Sequence, residues 1–220
     1  MKIVAVVPIK LNSVRFPNKN IKSFKNGNPL CYYIFQTLLK LTDIDDVYVY
    51  CSDERIKDFV PNKVKFLKRS TDLDQDTTKI NEVLSAFAKD VPADIYLMAH
   101  TTAPFIDVKS IESGLSAVLS EQYDSAFSVS KLQTFLWMNN KPMNYQLNQI
   151  PRTQDLEPVF KETSGFYIYK SDTILTQNRR IGEHPFLVEV SIIESIDIDT
   201  KEDFDMAEAL INQLFLNNLK

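Results

Sequence analysis

The sequence predicts an α/β protein, a three-layer sandwich in which a mainly parallel sheet carries helices on both faces. Short apolar runs of strand length alternate with segments of helical periodicity along the first half of the chain. The first run, Lys2–Val7, is rich in β-branched residues without a polar alternation, as is typical of a strand covered on both faces. The chain has 220 residues, of which 44% are hydrophobic, and this length suits a single domain spanning residues 1–220.

Each predicted element follows from a local pattern. Strands are expected where short β-branched or aromatic runs occur, and helices where apolar residues recur every three or four positions. After the first strand and a polar loop, the predicted order is helix Pro29–Leu41, strand Val47–Cys51, a short helix near Glu54–Phe59, strand Val64–Leu67, helix Lys79–Lys89, strand Ile95–Ala99, helix Val108–Leu119, strand Ser125–Val129, strand Phe166–Tyr169, strand Leu187–Val190 and helix Lys201–Leu216. In the last helix, Asp203 follows Thr200 at the spacing of a capping box.

The segment Lys131–Thr163 interrupts this rhythm. It has no helical period, is rich in Asn, Gln and Pro, and carries apolar residues such as Trp137 and Met143. We interpret it as an inserted hairpin or arm, and the alternative is a long surface loop packed on its own domain. Because structureless loops longer than about 12–15 residues are uncommon, the segment indicates a functional or partner-binding role.

Composition excludes several classes of protein. No apolar run approaches the ~20 residues of a membrane-spanning helix, and the apolar N-terminus ends at Pro8 and Lys10, as a strand rather than a signal peptide would. Two cysteines, Cys31 and Cys51, make neither a disulfide framework nor a zinc site. With 25 basic and 29 acidic residues, the formal charge of 25 − 29 = −4 argues against nucleic-acid binding. We therefore expect a cytoplasmic protein with neither nucleic-acid nor membrane partners.

The loop Ile9–Asn20 concentrates three cations, Lys10, Arg15 and Lys19, just after the first strand. Ligands of open α/β sheets bind beyond the carboxyl ends of the strands, and Lys and Arg donate to phosphate oxygens. We therefore expect a phosphate site here, to which Ser13 can add a contact; the alternative is a solvated polar loop. The chain has only 4 Gly, and the loop is neither a Walker A nor a GxGxxG motif.

A second candidate site is the pair Asp197 and Asp199. In an extended segment, residues two apart point to the same face, so the two carboxylates would lie side by side. Carboxylates in this arrangement suit Mg²⁺, which binds one or two of them together with substrate phosphates. The alternative is that one aspartate caps the last helix and the other is solvated.

Three further polar residues lie at strand ends or in the arm. Arg69 and His100 each follow a strand, and either could contact a ligand or serve as an ordinary surface or satisfied polar group. Arg152 lies in the arm, where Arg is either exposed or a clamp for a carboxylate.

The motifs together resemble a known family. Pro8–Asn20 (PIKLNSVRFPNKN) resembles the pattern P-A-R-x-x-S-K-x-x-P-x-K-N, and residues 197–203 (DIDTKED) match D-I-D-T-x-x-D closely. Between them, in order, stand counterparts of G-x-P-L, S-T-D-D/E, R-P-x-x-L-A-x-D-T, Q-P-T-S-P-L, P-R-x-Q-x-L and N-G-x-Y-I. This series is similar to that of the sugar-acid cytidylyltransferases, especially the acylneuraminate (CMP-sialic acid type) cytidylyltransferases. Three of these motifs depart from the family pattern: Lys10 replaces Arg, residues 100–103 read HTTA, and Ser164 replaces Asn.

The resemblance implies a Rossmann-like fold of the nucleotide-diphospho-sugar transferase type and a Mg²⁺-dependent reaction. In that reaction, CMP passes from CTP to the anomeric hydroxyl of a 2-keto sugar acid, such as N-acetylneuraminic acid or a related nonulosonic acid, and pyrophosphate is released. The family also forms homodimers through an inserted arm, which fits residues 131–163. The alternatives are a nucleotidyltransferase acting on another sugar or alditol phosphate, and a catalytically silent nucleotide-binding relative that acts as an interaction module.

Residue roles carry over by position. The implied catalytic residues are Lys10, Lys19 and Asp199, the nucleotide ligands are Ser13, Arg15, Asn20, Arg69 and Asp76, the sugar-side residues are His100, Thr101, Thr102, Arg152, Gln154 and Ser164, and the metal ligands are Asp197 and Asp199.

Overall fold

The computed structural model describes residues 1–13 and 15–217 and is organised around a seven-stranded sheet. Its strand order is β3-β2-β1-β4-β8-β5-β9. The strands are β1 (Ile3–Pro8), β2 (Asp46–Cys51), β3 (Lys65–Lys68), β4 (Ile95–Ala99), β5 (Ser125–Leu132), β8 (Val159–Lys170) and β9 (Pro185–Glu189), and a separate two-stranded ribbon pairs β6 (Trp137–Met138) with β7 (Lys141–Pro142). Within the seven-stranded sheet, neighbouring strands pair in parallel except at β8, which is antiparallel to both β4 and β5. The predicted mainly parallel sheet is confirmed.

Five α-helices flank this sheet in the part of the chain that the structure describes. They are α1 (Leu30–Leu38), α2 (Ile80–Asp90), α3 (Val108–Leu119), α4 (Ser171–Leu175) and α5 (Lys201–Asn217). The predicted short helix at Glu54–Phe59 is a 3₁₀ helix, capped by Asp53, whose side chain accepts from the Arg55 N–H at 3.0 Å. Within the described residues, no helix is both long and apolar enough to cross a bilayer.

The core consists of two apolar layers, one on each face of the sheet. Residues of β1 alternate between them, so that Ala5 and Val7 pack with α1 and α3 while Val4 and Val6 pack with α2. Burial on both sides explains why β1 is apolar at every position rather than at every second one. The three-layer α/β arrangement is therefore that predicted.

Strand β8 links the sheet to the segment interpreted as an arm. Its outer half pairs with the end of β5, from Val129–Glu162 to Leu132–Val159, and the register shifts between that ladder and the Phe127–Tyr167 pair. The ribbon of β6 and β7 lies beyond this ladder, with Trp137 and Met138 more than half exposed. The segment thus begins and ends as paired strands of the main sheet.

A third apolar cluster holds the chain's last segment against its first loop. The rings of Phe24 and Phe204 stack at 4.2 Å between centroids, and Ile198 is buried beside them. The Ile198 N–H donates to the Thr102 carbonyl at 2.8 Å. Asp203 accepts from the backbone N–H groups of Asp199 and Thr200 at 3.0 and 2.8 Å, which is the capping role its spacing predicts.

Candidate active site

A cleft of about 490 Å³ opens at the carboxyl ends of β1 and β4. Every residue lining it except Pro8 was singled out from the sequence. The lining residues are Pro8, Lys10, Ser13, Arg15, Lys19, Asn20, Asp76, His100, Thr101 and Thr102. Residues from three separate parts of the chain therefore meet where an open α/β sheet binds its ligands.

Lys19 joins the cationic loop to the acidic segment. Its side chain is 6% exposed, and its Nζ donates to the Ile198 carbonyl at 2.6 Å and to Asp199 Oδ1 at 3.2 Å. The exposed Arg15 donates to the other oxygen, Asp199 Oδ2, at 2.8 Å. A buried ammonium is costly unless it is paired, so these contacts fix the loop against residues 198–199.

Asp197 has a different environment from Asp199. Its Oδ1 is buried and, within the described residues, has no hydrogen-bond partner. Burial raises the pKa of its carboxyl most strongly; a hydrogen bond from Thr102 acts in the opposite direction, and the Asp199 charge raises the pKa further. Lys19 and Arg15 lower it, but the net shift is upward. Asp197 is thus a half-buried carboxylate whose buried oxygen is not compensated by a hydrogen bond.

This orphaned oxygen fits the predicted magnesium site. No group of three or more His, Cys, Asp or Glu side chains that could hold a metal occurs among the described residues. Mg²⁺ does not need such a cage, because it commonly takes one or two carboxylates together with phosphates and water. The buried Oδ1 of Asp197 is a free carboxylate oxygen, which is the kind of ligand that such a site requires. Both oxygens of Asp199, by contrast, already accept hydrogen bonds from cations.

Asn20 and Thr101 are structural members of the cleft wall. Asn20 Nδ2 donates to the Lys10 carbonyl at 2.9 Å, and Thr101 Oγ1 donates to Asn20 Oδ1 at 2.6 Å. Both residues are buried, at 8% and 4% exposure. They hold the Lys10 backbone, while the Lys10 Nζ reaches the largely exposed Asp76 at 2.7 Å.

Arg69 lies outside the set of residues that line the cleft. It is 5% exposed, and its Nε and Nη2 both donate to Asp74 Oδ1, at 3.0 and 2.5 Å. Asp74 also accepts a short hydrogen bond from Ser52. The arginine therefore ties the end of β2 to the segment that follows β3.

His100 is a neutral group in the cleft. Burial, and then the nearby charge of Arg180, lower its pKa to about 4, although the Asp199 carboxylate acts against this. Its backbone N–H donates to the Gly165 carbonyl at 3.1 Å, which joins the end of β4 to β8. At neutral pH, His100 can donate or accept a hydrogen bond but carries no charge.

Three predicted sugar-side residues do not line this cleft. Arg152 is 79% exposed and pairs with Asp155 at 2.8 Å, and Gln154 follows it in a 3₁₀ turn. Ser164 lies at the β5–β8 irregularity with a φ of 58°, a left-handed conformation that Asn tolerates better than Ser does. Their proposed contact with a sugar stays a prediction.

Arg180 was missed by sequence reasoning. It lies in a polar stretch, QNRRIGEH, whose only signal is the adjacent pair Arg179–Arg180. The turn that carries Arg180 follows a short helix that sequence periodicity did not reveal, so the effect of its charge on the pKa of His100 could not be predicted.

Comparison with known proteins agrees with the fold and with the sequence motifs that line the cleft. A family model described as cytidylyltransferase matches residues 4–220. N-acylneuraminate cytidylyltransferase A of Danio rerio is 26% identical over 216 residues, covering 94% of this chain and 50% of that protein. 3-Deoxy-manno-octulosonate cytidylyltransferase 2 of Hydrogenovibrio crunogenus is 27% identical over 189 residues, covering 84% of this chain and 70% of that protein. The chain therefore spans about half the length of some curated relatives it matches.

Solved structures support the fold. CMP:2-keto-3-deoxy-manno-octonic acid synthetase in complex with CTP superposes with a TM-score of 0.73 at 19% identity, covering 97% of this chain and 99% of that one. 4-Diphosphocytidyl-2C-methyl-D-erythritol synthase from Anaerococcus prevotii gives a TM-score of 0.71 at 13% identity, covering 96% of both chains. With a family match over nearly its whole length and a Rossmann-like sheet that carries the matching motifs, the chain belongs to the cytidylyltransferase family.

Proposed function

We propose that the protein transfers CMP from CTP to the anomeric hydroxyl of a 2-keto sugar acid. In this reaction the hydroxyl oxygen bonds to the α-phosphorus, the bond from that phosphorus to the bridging oxygen breaks, and pyrophosphate leaves. The observation that carries the proposal is the cleft itself, which is lined by Lys10, Arg15 and Lys19, the last two of which both donate to Asp199. Nucleotidyl transfer needs positioning and charge stabilisation more than covalent help from the protein.

The cations differ in how readily they can turn to a triphosphate. Lys10 and Arg15 pair with Asp76 and Asp199 in contacts that are open to solvent, and such ion pairs are worth at most about 1 kcal/mol. Exchanging these carboxylates for phosphate oxygens therefore costs little. Lys19 is buried and keeps its bond to the Ile198 carbonyl, so it serves as a fixed positive charge beneath the phosphates.

The carboxylates would hold the metal. Asp197 offers the free oxygen, and Asp199 becomes available once Arg15 turns to the nucleotide. When bound, Mg²⁺ would shield the phosphate charge and acidify the acceptor hydroxyl. Asp199 remains the proposed acceptor of the hydroxyl proton, and hydrogen bonds from Lys19 and Arg15 fix its carboxylate in place.

A 2-keto sugar acid, rather than another acceptor, is favoured by the relatives. The curated relatives include enzymes named for N-acylneuraminate and for 3-deoxy-manno-octulosonate. We propose an acid of this type, with N-acetylneuraminic acid or a related nonulosonic acid as the first choice. His100, Thr101 and Thr102 lie in the cleft wall nearest to β8, where the acceptor would enter.

Pyrophosphate release tests the proposal. The protein is incubated with CTP and, in turn, N-acetylneuraminate, 3-deoxy-manno-octulosonate and an alditol phosphate, each with Mg²⁺ or with EDTA. We expect release with a sugar acid only when Mg²⁺ is present. Release with the alditol phosphate alone would show that the acceptor is an alditol phosphate and not a sugar acid. CTP binding without release from any acceptor would identify a catalytically silent relative.

We also propose that the arm, residues 131–163, contacts a second copy of the chain. Its apolar side chains are unusually exposed, with Trp137 at 53%, Met143 at 53%, and Leu147 and Ile150 both at 64%. Aromatic and Met side chains are enriched at protein interfaces, and single chains rarely leave such a group in water.

A further inference from the structure

A second hollow, of about 320 Å³, is lined by residues around the start of α2, in β8 and in the turn after α4, and β8 pairs with β4, the strand that leads into the active-site cleft. Its walls include Lys79, Asn81, Glu162, Arg179 and Arg180. Lys79 follows the cleft residue Asp76 by three positions, and Arg180 is close enough to the cleft residue His100 to perturb its titration. Three cations face one carboxylate here, so the hollow is suited to an anionic group.

Arg180 is placed over an aromatic ring. Its guanidinium carbon lies 3.9 Å from the centroid of the Tyr167 ring, and its Nη2 donates to Tyr167 Oη at 3.1 Å. Tyr167 Oη in turn donates to Glu162 Oε2 at 2.6 Å. Burial first, and then this carboxylate, raise the pKa of Tyr167 to about 12, so the hydroxyl keeps its proton. The ring and hydroxyl therefore form a fixed platform for the guanidinium.

The guanidinium retains donors for a ligand. Within the part of the chain that the structure describes, its one hydrogen bond is that to Tyr167, and the Glu162 oxygen is 3.9 Å away. The side chain is 22% exposed, which leaves it open to the hollow. Arg179 is different, because it pairs with Glu183 at 2.7 Å and donates to Gln177.

The turn that carries Arg180 is firmly anchored. Asp124 Oδ2 accepts from the Glu183 and His184 N–H groups at 2.7 and 2.9 Å, and Ser125 Oγ accepts from the Gly182 N–H at 2.8 Å. A Cβ on Gly182 would meet Asp124 Oδ1 at 2.2 Å, so only Gly allows this approach. Although burial alone would raise it, these hydrogen bonds hold the pKa of Asp124 below its usual value.

We infer that Arg180 binds the carboxylate of the acceptor and so determines the enzyme's preference for sugar acids. The inference rests on the proposed function. Three observations support it: the guanidinium has free donors, the turn that carries it is held by hydrogen bonds, and it lies at the border of the cleft. A planar guanidinium matches a carboxylate through two parallel hydrogen bonds, which a neutral sugar cannot accept.

Steady-state kinetics with N-acetylneuraminate and CTP test this inference. In Arg180→Gln we expect the KM for the sugar acid to rise about 10- to 100-fold while the KM for CTP changes less than about 2-fold. Arg180→Lys keeps the charge over Tyr167 but loses the fork, so its loss should be intermediate. Lys65→Gln removes a cation at the start of β3, where Lys65 pairs with Asp46 outside both the cleft and the hollow; it is the control and should leave both constants unchanged. Equal changes in both KM values in Arg180→Gln, or no change, would overturn the assignment.

A binding measurement separates this inference from the proposed reaction. Isothermal titration of N-acetylneuraminate, and of its methyl ester, is performed on the CTP-loaded protein for wild type and each variant. Weaker binding of the free acid in Arg180→Gln, with the ester binding weakly to all variants, supports the carboxylate contact even if no pyrophosphate is released. Equal binding of acid and ester by wild type, or no binding of either, overturns it.

Discussion

At the scale of single residues, Asp197 and Asp199 are two positions apart and yet differ in charge compensation. Asp199 accepts from Lys19 and Arg15, whereas Asp197 has a buried oxygen without a partner in the described structure. Sequence reasoning treated the two as one pair, because extended backbone places them on one face. It could not foresee that the cations would compensate only one of them, since Lys19 lies 180 positions away from Asp199.

This difference predicts opposite effects on stability. Asp199→Asn leaves Lys19 buried without a carboxylate, and we expect a loss of about 2 kcal/mol in the free energy of unfolding, moderated by the partial exposure of Asp199. Asp197→Asn removes a poorly compensated buried charge, so the metal-free protein should be unchanged or slightly more stable at pH 7. Urea unfolding in EDTA measures both values. A larger loss in Asp197→Asn than in Asp199→Asn would contradict the assignment.

His100 gives a second prediction, for the response to pH. Its pKa is about 4 in the folded chain and about 6.5 for an unperturbed imidazole. Between these two pH values, the unfolded chain therefore binds a proton at His100 and the folded chain does not. The contribution of His100 to the free energy of unfolding is therefore fully present above pH 6.5. It is lost as the pH drops towards 4, and the loss amounts to about 2 kcal/mol.

His100→Gln should reduce that loss. Urea unfolding at pH 7 and pH 4.5 measures the fall in stability for wild type and variant, and the variant's fall should be smaller by about 2 kcal/mol. The exposed His184→Gln is the matched control. Identical pH dependence in wild type and His100→Gln would refute the effect of burial.

At the scale of elements, β8 is where sequence patterns predicted least. Only Phe166–Tyr169 was expected as a strand, but β8 begins at Val159. The residues 159–162 are exposed on both sides, so they show neither the continuous apolar run nor the alternation that marks a strand. By contrast β1, β2 and β4 are buried on both faces along most of their length, and their apolar runs predicted them well.

Gly165, at the β8 irregularity, predicts a packing effect. A Cβ at this position would lie 2.6 Å from Ile106 Cδ1 and 2.9 Å from Ser128 Oγ. Gly165→Ala should therefore cost about 1–3 kcal/mol of stability through overpacking.

Ile106→Val is the matched control for that substitution, because it deletes the Cδ1 atom involved. Alone it should cost about 1 kcal/mol. Combined with Gly165→Ala, the two losses should be less than additive, as urea unfolding of all four proteins can show. Strict additivity would mean that this clash is not the cause.

At the scale of the whole molecule, the alternation of strands and helices predicted the layers but not the strand order. Parallel strands joined by helices follow from local signals, whereas the insertion of β8 between β4 and β5 depends on pairings between distant parts of the chain. The candidate site shows the same division. Its cationic loop and acidic pair were visible in the sequence, but the anchored turn that carries Arg180 was not.

Quaternary structure gives the prediction at this scale. If the arm joins two copies, the double variant Trp137→Ser with Ile150→Ser should sediment as a monomer where wild type sediments as a dimer. Ile192→Ser removes an 86% exposed isoleucine outside the arm and should leave the dimer intact. A wild-type monomer, or a dimer in the double variant, would refute the role of the arm.

The link between Lys19 and Asp199 also has a consequence for the timing of folding during synthesis. A ribosome makes the cationic loop early, but the carboxylate, and the Ile198 carbonyl that accepts from Lys19, emerge 179 and more residues later. The ring of Phe24 is likewise covered only after Phe204 has been synthesised, because the two rings stack. Strands β1 to β4 can pair as they emerge, whereas the cationic loop takes its final form only near the end of translation. A nascent chain should therefore form this part of the sheet before its cationic loop is complete.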